Sequence, residues 1–134
     1  MFGKPAHLSE VQIPLCAIAC ETDHIAAWKS SFNGIRQMGA KDKTFILSQS
    51  GHIAGIINPP SKGKYGHYTN EGAMTSPDDW RAGANFNSGS WWPRWGDWLA
   101  ARSGPMQLAR RLGDSEHPVL APAPGTYVSA VPGG

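Results

Sequence analysis

The sequence lacks most of the features that would place it quickly. No basic block stands out: 12 Lys and Arg face 10 Asp and Glu, a net charge of +2. So even a balance gives no argument for nucleic acid as a partner. No apolar run approaches the ~18 residues that a membrane span needs, so no transmembrane segment is expected. The opening Met1-Phe2-Gly3-Lys4-Pro5 has none of the apolar core of a signal peptide. Cysteine is scarce, with 2 in 134 residues. If Ile13 to Cys20 is a strand, Cys16 and Cys20 point the same way but lie about 13 Å apart. A disulfide needs Cα atoms within about 7 Å. The pair therefore reads as two free thiols in a reducing cytosol, small residues of a core. Cys-x-x-x-Cys without a second Cys/His pair is a poor zinc signal, and no metal or cofactor is expected.

Glycine and proline, by contrast, are plentiful, at 16 and 11 residues, which predicts much loop. The length suffices for one domain. After a mixed polar lead-in comes Ile13-Pro14-Leu15-Cys16-Ala17-Ile18-Ala19-Cys20, almost wholly apolar. Such a run reads as a strand buried on both faces, with Pro14 tolerable only at its start. The loop Glu21-Thr22-Asp23-His24 follows. From Ile25 the apolar residues Ile25, Trp28, Phe32, Ile35 and Met38 form one helical stripe, with Thr22 or Asp23 as cap and Gly39 as stop. Thr44 to Ser48 is a second strand, rich in β-formers. Strand, helix, strand makes a parallel pair with a right-handed crossover.

Residues 53–57 read as a helix start, halted by Asn58-Pro59-Pro60. A loop follows through residue 72. Ser76-Pro77-Asp78-Asp79-Trp80 is a helix start, with a capping serine, proline at the first position and acids in the first turn. A last helix opens within Ser90-Trp91-Trp92-Pro93 and runs to about Arg102, closed by Gly104. Beyond it periodicity fades, and residues 104–134 read as a Pro/Gly-rich tail with a short helix at 106–112. Two strands do not make a stable sheet, and the first would expose an unpaired edge. The sequence thus reads as the last part of a larger α/β domain.

The chemistry gathers at two loops. Sites in parallel sheets lie beyond the carboxyl ends of the strands. Asp23 follows the first strand and His52, within Ser50-Gly51-His52-Ile53-Ala54-Gly55, follows the second. A histidine exchanges protons near neutral pH, and a carboxylate beside it fixes its tautomer. The plainer readings are a loop histidine and a helix-capping aspartate, and Asp23 can fill both roles. His24 reads as structural. His7, His67 and His117 lie in polar loops and carry no argument. A nucleophile on a sharp strand-to-helix turn, in a G-x-S-x-G-like pattern, is missing from residues 1–22. Cys16 and Cys20 are poorly placed to serve. Trp92, Trp95 and Trp98 share a helical face, which reads as docking of that helix on the sheet or as an apolar surface for a greasy substrate or partner.

Taken together, Asp23-His24-Ile25 with Trp28, Phe45-Ile46-Leu47, Ser50 to Gly55 running into Asn58-Pro59-Pro60, Gly89-Ser90-Trp91-Trp92-Pro93 with Trp95, Trp98 and Leu99, and Ala123-Pro124-Gly125-Thr126-Tyr127-Val128 resemble a known family. The chain is similar to the C-terminal portion of poly(3-hydroxyalkanoate) synthases, nearest those that prefer short-chain substrates. The resemblance implies an α/β-hydrolase core over residues 1–103, followed by the tail at 104–134. It implies a Cys-Asp-His triad with Asp23 as acid and His52 as base. It also implies polymerisation of (R)-3-hydroxyacyl-CoA to polyester with release of CoA. In the family the aspartate is thought to help activate the incoming hydroxyl during elongation. The family's nucleophilic cysteine, in a G-x-C-x-G turn, has no match here, so this chain alone is expected to be inactive. The expected partners are the hydroxyacyl-CoA thioester and the growing polyester, with a homodimer or a synthase partner. The expected location is the cytoplasm or the surface of polymer granules. Two other readings are a non-catalytic module docking on a full-length synthase or granule, and a fragment of an esterase or depolymerase. The second of these would not be expected to carry Gly-Ser-Trp-Trp-Pro.

Overall fold

The computed structural model describes Gly3 and residues 5–130. Met1, Phe2 and Lys4, and with them most of the stretch inspected for a leader, lie outside the described residues, as do residues 131–134. The chain divides into two compact units, Met1–Ser103 and Gly104–Gly134.

The first unit is a mixed α/β structure. Its strands are β1 (Leu15–Cys20), β2 (Lys43–Ser48), β3 (His67–Thr69) and β4 (Asn85–Asn87). Its helices are α1 (Trp28–Gln37), α2 (Pro77–Ala82) and α3 (Trp92–Ser103). The strands form one sheet in the order β1-β2-β3-β4. β1 and β2 run parallel, from Leu15 opposite Lys43 to Cys20 opposite Ser48. The β2–β3 and β3–β4 pairs are antiparallel. The sheet therefore has four strands rather than the two expected from sequence. β3 and β4 are three residues each, His-Tyr-Thr and Asn-Phe-Asn, too short for any alternation to register. Among the described residues β1 is paired on one side only.

One face of the β1–β2 pair carries Ala19, Phe45 and Leu47, packed with Phe32 of α1 and Trp80 of α2. The Phe32 and Phe45 rings meet edge to face at 5.2 Å, and Phe45 and Trp80 at 5.1 Å. Such aromatic contacts add to area burial. The ring at the centre of the sheet is thus Trp80, not the Trp92/Trp95/Trp98 stripe.

The helix ends follow local chemistry. In α2 the Ser76 hydroxyl accepts from the Asp79 N–H, with Pro77 in the first turn. Gly104, at φ 75°, follows the last residue of α3. α1 starts at Trp28 rather than Ile25, with Ala27 as N-cap and no side-chain cap. The Asp23 carboxylate is spent one turn earlier, on the N–H groups of Ile25 and Ala26. Ile25 stays exposed. Residues 53–57 form a wound turn, not a helix, and residues 106–112 are irregular. In the second unit, Tyr127–Ser129 forms a single 3-10 turn.

Candidate active site

Parallel pairing brings the two loops together. Cys20 and Ser48 are level at the ends of β1 and β2, and the chain leaves both strands in the same direction. Backbone bonds tie the loops at once: Glu21 N–H donates to Ser48 O at 2.8 Å, and Thr22 N–H to Ser50 O at 3.1 Å. Ser50 sits at φ 74°, the one non-glycine residue with positive φ among those described. That left-handed kink costs a residue with a Cβ about 1–3 kcal/mol. It sits immediately before Gly51 and His52.

The kink brings His52 Nδ1 to 2.8 Å from Asp23 Oδ2. The other carboxylate oxygen, Oδ1, accepts from Ile25 N–H at 2.8 Å and Ala26 N–H at 2.9 Å. Three donors on one carboxylate hold it ionised. Its pKa is lowered from 3.8 to about 2, chiefly by the Ala26 N–H and next by His52. An ionised Oδ2 accepts, so Nδ1 carries a proton, and in the neutral imidazole Nε2 presents a lone pair. The Asp23 side chain is 7% exposed and that of His52 48%, so the acid is sequestered and the imidazole faces outward.

Both residues line a cleft of about 370 Å³, whose wall is otherwise mostly apolar, with Ile18, Ala26, Ile53, Ile56 and Ile57, and includes Ser31. A second cleft of about 370 Å³ shares Ile53 and Ile57 and adds Lys62, Lys64 and Tyr65. The Tyr65 phenol is held below its usual value by a hydrogen bond with Ser50 and then by one with Lys64.

The other candidates fall away from this arrangement. Cys20 lines the first cleft but is 2% exposed, and burial, then Asp23, pushes its thiol up. An activated nucleophile needs the opposite shift. Cys16 is half-buried, its thiol also raised by burial, and both thiols are free. His24 is exposed. His67, read from sequence as a loop residue, is instead buried in β3, its Nδ1 3.0 Å from Gly89 O. Burial lowers its pKa. Among the described residues no cluster of three or more His, Cys, Asp or Glu could hold a metal.

Nothing in the residue pattern connects the tryptophans to the turn of His52, yet two of them bond to it. Trp91 Nε1 donates to Gly55 O at 2.9 Å and Trp92 Nε1 to Ile56 O at 3.0 Å. Gly55 O also accepts from Ser48 Oγ at 2.8 Å. A Cβ at Gly55 would stand 2.5 Å from Cys20 Sγ and 2.8 Å from Gln49 O, so the turn lies against the sheet only because this residue is glycine.

No protein-family model matches the chain. Curated relatives do. It is 40% identical over 129 residues to the poly(3-hydroxyalkanoate) polymerase subunit PhaC of Cupriavidus necator, a match covering 96% of this chain and 22% of that protein. It is 40% identical over 127 residues to poly(3-hydroxyalkanoate) polymerase 2 of Ectopseudomonas oleovorans, covering 94% and 22% respectively. It is 43% identical over 122 residues to the poly(3-hydroxyalkanoate) polymerase of Methylorubrum extorquens, covering 90% and 20%. The chain spans about a fifth of the length of each of these relatives. Along nearly all of its own length it is therefore related to the poly(3-hydroxyalkanoate) polymerases, as a counterpart of their C-terminal portion.

Proposed function

We propose that this chain supplies the acid and base, Asp23 and His52, of a Cys-Asp-His triad that polymerises hydroxyacyl-CoA thioesters. The observation that carries the reading is the His52–Asp23 contact at 2.8 Å, with the carboxylate sequestered and the imidazole outward. The level ends of β1 and β2 support the reading, since sites in parallel sheets lie just beyond the carboxyl ends of the strands.

In this reading His52 Nε2 takes the proton of a cysteine thiol supplied by a portion of the synthase other than residues 1–134. The thiolate attacks the thioester carbonyl, the bond from carbonyl carbon to CoA sulfur breaks, and His52 returns the proton to the departing CoA thiolate. Asp23 holds the imidazole in its Nδ1–H form and stabilises the imidazolium. In elongation, the hydroxyl of the next monomer gives up its proton to the base and attacks the acyl-enzyme carbonyl, the bond from that carbon to the cysteine sulfur breaks, and the freed cysteine thiolate takes the proton back. The geometry favours His52 over Asp23 as the base for that step as well. Asp23 already accepts three hydrogen bonds and has a pKa of about 2, which makes it a weak base. Lys62 and Lys64 lend positive charge to the neighbouring cleft and suit the phosphates of a CoA thioester.

The test is CoA release from 3-hydroxybutyryl-CoA. The chain alone is expected to release none. A longer synthase carrying this chain's segment is expected to release CoA, and to lose at least about a thousandfold in rate on His52→Gln. Release by the isolated chain that needs His52 and survives Cys16→Ala/Cys20→Ala would overturn the reading. A docking role is the second reading, favoured by the single-sided pairing of β1. It predicts copurification with a full-length synthase.

A further inference from the structure

The turn that carries His52 is gripped from two sides. From the sheet, Ser48 Oγ reaches Gly55 O at 2.8 Å. From the start of α3, two consecutive indoles reach two consecutive carbonyls, those of Gly55 and Ile56. An indole N–H only donates, and when buried it needs an acceptor. Trp91 is 7% exposed, so its bond to Gly55 is not exchanged for water at little cost.

These two carbonyls belong to a single wound segment. Gly55 N–H donates to Gly51 O at 2.9 Å, and Ile57 N–H to Ile53 O at 2.8 Å. The first bond spans His52 and the second begins at the next residue, so holding the peptide planes at 55 and 56 restrains the backbone that carries the imidazole. α3 is itself restrained. Ser90 Oγ accepts from the Trp92 N–H at 3.0 Å, Arg94 pairs with Glu71, and Arg102 pairs with Asp42.

We infer that Trp91 and Trp92 are positioning residues for His52: their indole N–H groups, on the carbonyls of Gly55 and Ile56, hold the turn so that His52 Nδ1 meets Asp23 Oδ2. The relevance of this clamp to catalysis rests on the triad reading above. The clamp itself does not, and its test avoids turnover. In the protein labelled with 15N-histidine, long-range proton–nitrogen correlation spectra report which imidazole nitrogen carries the proton, with His52→Gln assigning the signal. The whole chain is expected to show His52 as a single Nδ1–H tautomer at a pH where the imidazole is neutral. Trp91→Phe/Trp92→Phe keeps the rings but removes both donors. The expected result is a mixture of tautomers and an Asp23 titration midpoint moved up from about 2. Trp80→Phe trims the core ring away from the turn and is expected to lower stability without changing the tautomer. Should the double variant not fold, Trp92→Phe alone, at a half-buried ring, carries the same test. A folded variant whose His52 tautomer and Asp23 titration match the parent would overturn the clamp. So would a Trp80→Phe variant that shifts the tautomer equally. Failure of the triad reading would show separately, as CoA release by a longer synthase that survives His52→Gln.

Discussion

Asp23 shows how one side chain is committed by its surroundings. It caps the 25–26 turn with one oxygen and orients His52 with the other. A carboxyl group with a depressed folded-state pKa contributes stability at pH values above its unfolded pKa, and loses that contribution as pH falls through the folded value. For Asp23 the window runs from 3.8 down to about 2. A carbon-detected pH titration is expected to show its carboxyl titrating near 2, with an upward shift in His52→Ala. An unchanged midpoint in that variant would mean the His52 contact contributes nothing. The thiols give a second check. Cys20, at 2% exposure, is expected to react with iodoacetamide more slowly than the half-buried Cys16 in the folded protein. The difference is expected to vanish in urea.

At the scale of elements, the parts legible in the sequence were those with a local cause. β1, β2, the capped start of α2 and the glycine stop after α3 each carry their signal within a few residues, and Asp23 and His52 follow from strand ends. β3 and β4 had no local cause. They are strands because β2 and then β3 offer a hydrogen-bonding edge, a tertiary effect that three-residue segments cannot announce. The burial of His67 is illegible for the same reason, since it comes from strand pairing and from Gly89. Periodicity puts Trp92, Trp95 and Trp98 on one face but says nothing of where an indole N–H points, so the bonds of Trp91 and Trp92 to the His52 turn are not legible in it. Two substitutions test the packing. Trp80→Ala is expected to cost about 3–5 kcal/mol in urea unfolding, as the ring joins Phe32 and Phe45 in the core. Gly55→Ala is expected to cost about 1–3 kcal/mol and to disturb the His52–Asp23 pairing, since its Cβ would press on Cys20 Sγ and Gln49 O.

At the scale of the molecule, the chain matches relatives about five times its length, and among the described residues β1 presents an edge with no partner strand. The apolar residues Ile13, Ile25, Ile53 and Ile57 are exposed in the first unit. In the second, Met106, Leu108 and Leu120 are almost fully exposed. A chain of this kind is expected to self-associate as concentration rises. Sedimentation velocity across a concentration series checks this, and a single monomeric boundary throughout would contradict it. No helix among the described residues is long and apolar enough to cross a membrane.

The level ends of β1 and β2 have one more consequence. Adjacent strands are about 4.8 Å apart, so the acid and the base start from fixed points on a common rung. The sheet acts as a ruler, and the two short loops need only close the remaining gap. Length changes should therefore be tolerated very unevenly. An extra residue beside the exposed Lys41 is expected to be taken up before β2 and to leave the rung unchanged. One inserted between Ser48 and His52 slides the imidazole along the scale by a residue's rise, about 3.3 Å, more than the whole 2.8 Å contact it must make.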